Sequence, residues 1–310
     1  MLDNASKAFF HLLAKSGTLK TVTSHYGMRR PTSFARRFIA GETVEEAIEA
    51  ARAVEGRGLT QTLDLLGEGV RTLDEAQAAS RDYLTVIDAI LTAGIGRNLS
   101  LKLTQLGLEV DRAIATDNLR RILDHAEGFF VRIDMESSAF TAATLRVFET
   151  VWDQGYRQLG VVLQSDLKRT AADVERMIEL GARVRLVKGA YREPAAVAFQ
   201  HKVEVDENYR RLLERLLSAG HYPAIATHDP TIIEHAQRFS AERGIARTAF
   251  EFQMLYGIRR DLQTQLVADG FGVRVYIPFG RHWFPYFMRR LGERPANIGF
   301  VLRGIARDRT

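Results

Sequence analysis

The stretch "LGVVLQSDLKRTAADVERMIELGARVRLVKGAYREP", Leu159 to Pro194, decides the fold. It opens on "LGVVLQ" (Leu159–Gln164), apolar on both faces, and returns to a second short run, "RVRLVK" (Arg183–Lys188). Between them lies a helical pattern closed by Gly181. Strands buried on both faces are typical of parallel sheets, and parallel neighbours need a helical crossover of this length. The stretch therefore reads as strand, helix, strand. The second strand then runs into Lys188, Gly189, Tyr191, Arg192 and Glu193, more charge than a simple turn requires.

The same alternation runs through the chain. Strands are expected at "LTQTLDLL" (Leu59–Leu66), "LSLKL" (Leu99–Leu103), "FFVRID" (Phe129–Asp134), "PAIATH" (Pro223–His228), "TAFEFQ" (Thr248–Gln253) and "FGVRVYIP" (Phe271–Pro278). Helices such as "DEAQAASRDYLTVIDAILTAG" and "NYRRLLERLLSAG" separate them, with Gly94, Gly155, Gly181, Gly220, Gly244 and Gly270 as stop signals. Eight such units close most naturally into a (βα)8 TIM-type barrel. A doubly wound open sheet is the rival, but no G-x-G-x-x-G follows the first strand. Residues 1–57, with "ETVEEAIEAARAVEG", are read as an N-terminal helical arm and residues 58–310 as the barrel domain.

The 310 residues carry a net charge of +5 and no cysteine. Disulfides, thiolate nucleophiles and cysteine-held metals are excluded. The basic residues are dispersed among 38 acids, so nucleic acid is not an expected partner. The densest basic run, "RRPTSFARR" (Arg29–Arg37), reads as a solvated or membrane-grazing arm. With no bilayer-length apolar run and no secretory h-region, a soluble cytoplasmic protein is expected.

Barrel enzymes carry their chemistry at the C-terminal ends of the strands. Those ends read Asp64, Lys102, Asp134, Gln164, Arg185 with Lys188, Thr227 with His228, Glu251, Gln253 and Tyr276. So many polar ends at one mouth favour an active site. Blander readings exist for individual residues. Asp64 and Lys102 could be an ordinary surface pair, and Asp229 before Pro230 looks like a helix N-cap. His221, His228 and His235 fall on a loop, a strand end and a helix, so no metal site is expected. The last helix, "HWFPYFMRRLGERPAN", sets Arg289 beside Arg290 with Glu293 a turn beyond Arg289. The bland reading is an exposed pair with Arg289 linked to Glu293. The functional one lays the helix over the barrel mouth, where two guanidiniums grip one carboxylate.

In this order and spacing, "RLVKGAYREP", "ATHDP", "FEFQMLYGI", "VYIPFG" and "YFMRRLGERPAN" resemble the proline dehydrogenase family, in its short monofunctional bacterial form. The resemblance extends from about Leu59 to the C-terminus. It implies a distorted barrel holding FAD non-covalently, oxidation of L-proline to Δ1-pyrroline-5-carboxylate by hydride transfer to flavin N5, and a membrane quinone as electron acceptor. Peripheral contact with the inner face of the plasma membrane would follow.

By the same resemblance Asp134 and Arg185 are catalytic, with Arg185 against the reactive edge of the flavin. Met135, Gln164, Lys188, Gly189, Ala190, Thr227 and His228 contact the cofactor. Lys102, Tyr191, Leu255, Tyr276, Arg289, Arg290 and Glu293 form the proline site. Two rivals remain on the residues alone. One is a barrel aldolase with Lys188 or Lys102 as Schiff-base nucleophile; the other is a non-catalytic basic binding module. Only the proline dehydrogenase reading predicts a yellow protein.

Overall fold

The computed structural model describes residues 34–67 and 69–293. Eight parallel strands close a barrel in chain order. They are β1 (Thr60–Leu65), β2 (Asn98–Leu101), β3 (Phe130–Ile133), β4 (Leu159–Gln164), β5 (Arg183–Val187), β6 (Ala224–Ala226), β7 (Glu251–Leu255) and β8 (Gly272–Phe279). The seam pairs Thr60 with Arg274 and continues in register to Leu65 with Phe279.

The helices between them are α2 (Leu73–Ala93), α3 (Arg112–His125), α4 (Ser138–Asp153), α5 (Thr170–Leu180), α6 (Lys202–Ala219), α7 (Pro230–Glu242) and α8 (Arg260–Ala268); α1 (Val44–Glu55) precedes β1 and α9 (Trp283–Glu293) follows β8. Local chemistry sets several boundaries. Thr43 with Glu46 and Thr72 with Glu75 form capping boxes at the starts of α1 and α2. Asp229 caps α7 by accepting from the Thr231 amide, with Pro230 at the first helical position. Gly94 and Gly181 end α2 and α5 in the left-handed conformation.

The apolar core lies between the strands and the helical ring, and α1 shares it through Ala47, Ile48, Ala51 and Val54. A second cluster sits at the mouth, where Ala35, Phe38 and Ile39 pack with Leu66 and with Trp283, Phe284 and Phe287 of α9. Hydrogen bonds reinforce this strap: Ala40 N donates to Pro278 O at 2.9 Å and Trp283 Nε1 to Glu42 at 2.9 Å. The end of the Arg29–Arg37 run is therefore folded onto the barrel and is not a solvated arm. Its apolar Ala35 and Phe38 have a face to bury, and Arg36 pairs with Glu46. Among the described residues no helix is long and apolar enough to cross a membrane.

Two sequence expectations shift in register. The seventh strand starts at Glu251, three residues later than "TAFEFQ" suggested, because Ala246 to Phe250 form a turn. Glu251 thus opens β7 at the base of the barrel instead of standing at the mouth. Arg185 and Tyr276 lie within their strands, with Val187 and Phe279 as the last strand residues.

Candidate active site

Alternation along the strands turns every second side chain into the barrel. Ser100 and Lys102 therefore share a face at β2, Arg132 and Asp134 at β3, Gln253 and Leu255 at β7, Arg274 and Tyr276 at β8. The polar members meet. Arg185 Nη1 donates to Asp134 Oδ1 at 2.7 Å, Nη2 to Ser100 Oγ at 3.0 Å and Nε to Gln253 Oε1 at 2.5 Å. The Tyr276 hydroxyl donates to the other Asp134 oxygen at 2.7 Å, and the guanidinium carbon of Arg185 lies 5.3 Å from the centre of the Tyr276 ring.

Lys102 Nζ donates to both Asp64 oxygens, at 2.9 and 3.0 Å, and stands 3.6 Å from Asp134 Oδ2. The surface-pair reading of Asp64 and Lys102 fails: Asp64 is 0% exposed and Lys102 7%. Breaking such a buried pair from one side is costly, because it strands a charge. Burial alone would strip the Lys102 proton, but the Asp64 and Asp134 carboxylates outweigh it and push this ammonium well above the usual lysine range. Burial first, and then Asp134 and Asp64, push the Tyr276 phenol well above its ordinary value. Tyr276 is thus a donor and Lys102 a fixed cation at neutral pH.

A second group of side chains surrounds the ends of β3 to β6. Met135 is buried just past β3. Gln164 ends β4, its amide donating to Glu136 O at 2.9 Å. Lys188 donates to Asp206 at 2.5 Å and to Asp229 at 2.8 Å, and Thr227 Oγ1 accepts from the Asp229 amide. His228 Nε2 accepts from the Leu255 amide at 3.0 Å, which fixes its tautomer with the proton on Nδ1 in the neutral ring. Gly189 holds φ +115, and a Cβ there would collide with the Asp166 carboxylate. Ala190 and Tyr191 follow, half-buried. Glu193 then accepts from the amide and hydroxyl of Ser138, tying this loop to the start of α4.

Above the cluster α9 lies across the mouth. Arg289 helps to line a cavity of about 80 Å³ with Lys102, Leu66, Gly67, His282, Pro285 and Tyr286. The Arg290 guanidinium lies 5.2 Å from the centre of the Tyr286 ring. Leu255 is half-buried at the end of β7. Glu293 ends α9, and its side chain lies outside the described residues.

Of the residues expected from sequence, buried Lys102, Asp134 and Arg185 and half-buried Tyr276 thus form one connected cluster. Arg289 reaches it through the cavity it shares with Lys102, whereas Arg290 does not line that cavity. Sequence reasoning missed Ser100 and the mouth residues His282 and Tyr286. Ser100 could have been found from its position two residues before Lys102 on the same strand face. His282 carries no local signal, because only the turn into α9 aims it at the mouth.

Comparison with known proteins follows the same lines. A family model described as proline dehydrogenase matches residues 47–303. A proline dehydrogenase of Deinococcus radiodurans is 45% identical over 88% of this chain and 90% of its own. Proline dehydrogenase 2 of Bacillus subtilis is 39% identical over 97% of this chain and 99% of its own. Among solved structures, proline utilization A (PutA) from Bdellovibrio bacteriovorus, inactivated by N-propargylglycine, superposes with a TM-score of 0.78 at 27% identity. That match covers 83% of this chain but 32% of the longer protein. By the extent of the family match and of these full-length similarities, the chain belongs to the proline dehydrogenase family and is an oxidoreductase of proline catabolism.

Proposed function

We propose that the chain oxidises L-proline to Δ1-pyrroline-5-carboxylate, with FAD held non-covalently over the strand ends and a membrane quinone as the final electron acceptor. The observation that carries this reading is the Lys102–Asp134–Arg185–Tyr276 cluster beneath a cavity also lined by Arg289. In the same reading residues 58–310 are the catalytic domain, residues 1–57 an arm, and membrane contact is peripheral, at the inner face of the plasma membrane.

The residues fit a flavin nucleotide. Gly189 holds φ +115 with the Asp166 carboxylate where a Cβ would stand, so only glycine lets the chain after β5 take the path that sets Lys188 and Ala190 at the strand ends. Lys188, fixed by Asp206 and Asp229 at the end of β5, joins Met135, Gln164, Ala190, Thr227 and His228 in the mixed apolar and polar wall that a flavin needs. Bound there, FAD supplies the acceptor for the hydride that leaves the carbon next to the proline nitrogen. Arg185 would supply positive charge to the accepting ring as it becomes electron-rich.

Proline must first lose its ammonium proton, because hydride departs only with the help of the nitrogen lone pair. Lys102, Arg185 and Arg289 surround that nitrogen with fixed cations, which lowers its pKa and favours the neutral amine. Arg289 and Arg290 grip the carboxylate, with Glu293 nearby, and so aim the reacting carbon. Tyr191, Leu255 and Tyr276 close around the ring. Asp134 already accepts from Arg185 and Tyr276, so its role is to orient them, while water takes the amine proton. The substrate loses two electrons and two protons in all.

The test is anaerobic addition of L-proline to the purified protein, followed by its visible absorption. A yellow protein that bleaches supports the reading. A colourless protein whose Lys188 or Lys102 forms a borohydride-trappable adduct with an aldehyde or ketone substrate would replace it with aldolase chemistry.

A further inference from the structure

Beneath the Arg185–Asp134 pair the barrel holds a second polar layer that the mouth chemistry does not use. Glu251, 3% exposed, accepts from Arg274 through both oxygens, Nε to Oε1 at 2.9 Å and Nη2 to Oε2 at 3.1 Å. Arg274 also donates to Gln61 O at 2.7 Å. Gln253 lies two residues along β7 on the same face. Its Nε2 donates to Glu251 Oε1 at 2.5 Å, and its Oε1 accepts from Arg185 Nε at 2.5 Å.

The order of donors and acceptors in this chain is forced. A carboxylate only accepts and a guanidinium only donates, whereas an amide has one end of each kind. Glu251 therefore takes the NH2 end of Gln253 and leaves its oxygen facing Arg185. Burial would raise the Glu251 carboxyl, but Arg274, the Gln253 amide and Arg132 outweigh it and hold it below the ordinary range. The carboxylate is thus ionised, and the direction of the amide is set, wherever the protein works. Arg185 in turn has three donors on three separate acceptors, from β2, β3 and β7, which defines the plane of its guanidinium.

We infer that Gln253 and Glu251 are positioning residues for Arg185, with Glu251 fixing the direction of the Gln253 amide and Gln253 fixing the plane of the guanidinium. The inference rests on the reading of Arg185 as the cation beside the reacting centre. Arg274 anchors the relay from the base of the barrel.

The experiment compares full-length wild type with Gln253→Leu and Gln253→Glu by proline turnover and by the Nε–H resonance of Arg185, assigned by its loss in Arg185→Lys. Gln253→Leu removes the acceptor, so its Nε–H should exchange rapidly with solvent. Its kcat should fall about tenfold to a hundredfold, the usual cost of a lost partner to a charged group, with KM for proline nearly unchanged. Gln253→Glu sets a carboxyl against Glu251, with Arg132, Arg185, Tyr222 and Arg274 facing the pair from neighbouring strands and loops. The two acids must share one proton. While the proton is shared this variant should keep near-normal turnover, and turnover should fall as the proton leaves and the two carboxylates repel, a descending limb that wild type lacks; the Nε–H should stay slow throughout, because the introduced carboxylate still accepts from it.

A slow Nε–H in Gln253→Leu at all pH values would overturn the relay. So would a lost Nε–H with unchanged kcat, or a Gln253→Glu profile parallel to that of wild type. Should Gln253→Leu fail to fold, the Gln253→Glu profile decides. Should wild type not oxidise proline, the function above falls, and the resonance comparison still judges the relay.

Discussion

Arg185 and Asp134 meet at 2.7 Å inside the barrel, and both are nearly closed to solvent. The pair joins the two halves of the site. Asp134 also receives the Tyr276 hydroxyl, and Arg185 also reaches Ser100 and Gln253. Charge-assisted bonds of this kind hold several strands in one arrangement and leave little freedom to either partner.

Removing Asp134 should therefore be felt in stability as well as in turnover. Asp134→Ala strands Arg185 in a buried site and should destabilise the fold by about 3–5 kcal/mol. Asp134→Asn keeps an oxygen for Tyr276 or Arg185 and should cost less. Urea unfolding of both variants at neutral pH checks the order; equal losses would show that the Arg185 and Tyr276 bonds do not set it.

The arginines of α9 should act on binding. If Arg289 and Arg290 grip the substrate carboxylate as proposed, Arg289→Met and Arg290→Met should each raise KM for proline about 10- to 100-fold. Arg289 shares its cavity with Lys102 and is expected to show the larger effect. Steady-state kinetics on both variants, with Tm as a folding control, reads the difference.

Gly257 tests the strap. It holds φ +74, and a Cβ there would fall on the carbonyl oxygen of Arg37. Gly257→Ala should push residues 35–39 away from Phe287 and Trp283 and loosen the seat of α9. The strained conformation alone costs about 1–2 kcal/mol, and the displaced packing adds to it. A lower Tm together with a raised KM for proline is the expected result. A lowered Tm with KM unchanged would mean that the strap stabilises the barrel without placing the arginines.

Lys188 predicts an acid-side effect. Burial would raise the Asp229 carboxyl, but Lys188 and Thr231 pull it down from its ordinary 3.8 to about 2, and Lys188 and Lys202 lower Asp206 as well. Between about pH 4 and pH 2 the unfolded chain thus binds more protons at Asp229 than the native one. Its contribution is complete above that window and is lost as pH falls through it. Lys188→Met raises both native values, so it should lower stability at neutral pH and flatten the decline on acidification. Denaturant midpoints from pH 7 to pH 3 give both slopes, and parallel curves would contradict the assignment.

Much of this protein was legible in its sequence because the information is local. Apolar runs of strand length, helical stretches between them and glycine stops such as Gly94 and Gly181 set eight βα units. Asp229 before Pro230 announced its cap. Period-two alternation also carries Lys102, Asp134, Arg185 and Tyr276 to one interior, since the strand ends of a closed barrel converge whatever the loops do. The physical state of those groups was not legible. Asp64 and Lys102 read equally well as a surface pair or a buried one, and only closure of β1 onto β8 removed the water that separates the two cases. Glu251 was read as a mouth residue, because a shift of three residues in a strand cannot be seen without its neighbours, Gly272 and Ala224. The link from Arg274 through Glu251 and Gln253 to Arg185 joins β8, β7 and β5, strands that come together only by tertiary packing. Composition and pattern determined the barrel and the residue types at its centre. Burial, and with it which proton or charge each of them keeps, was decided only when the strands met.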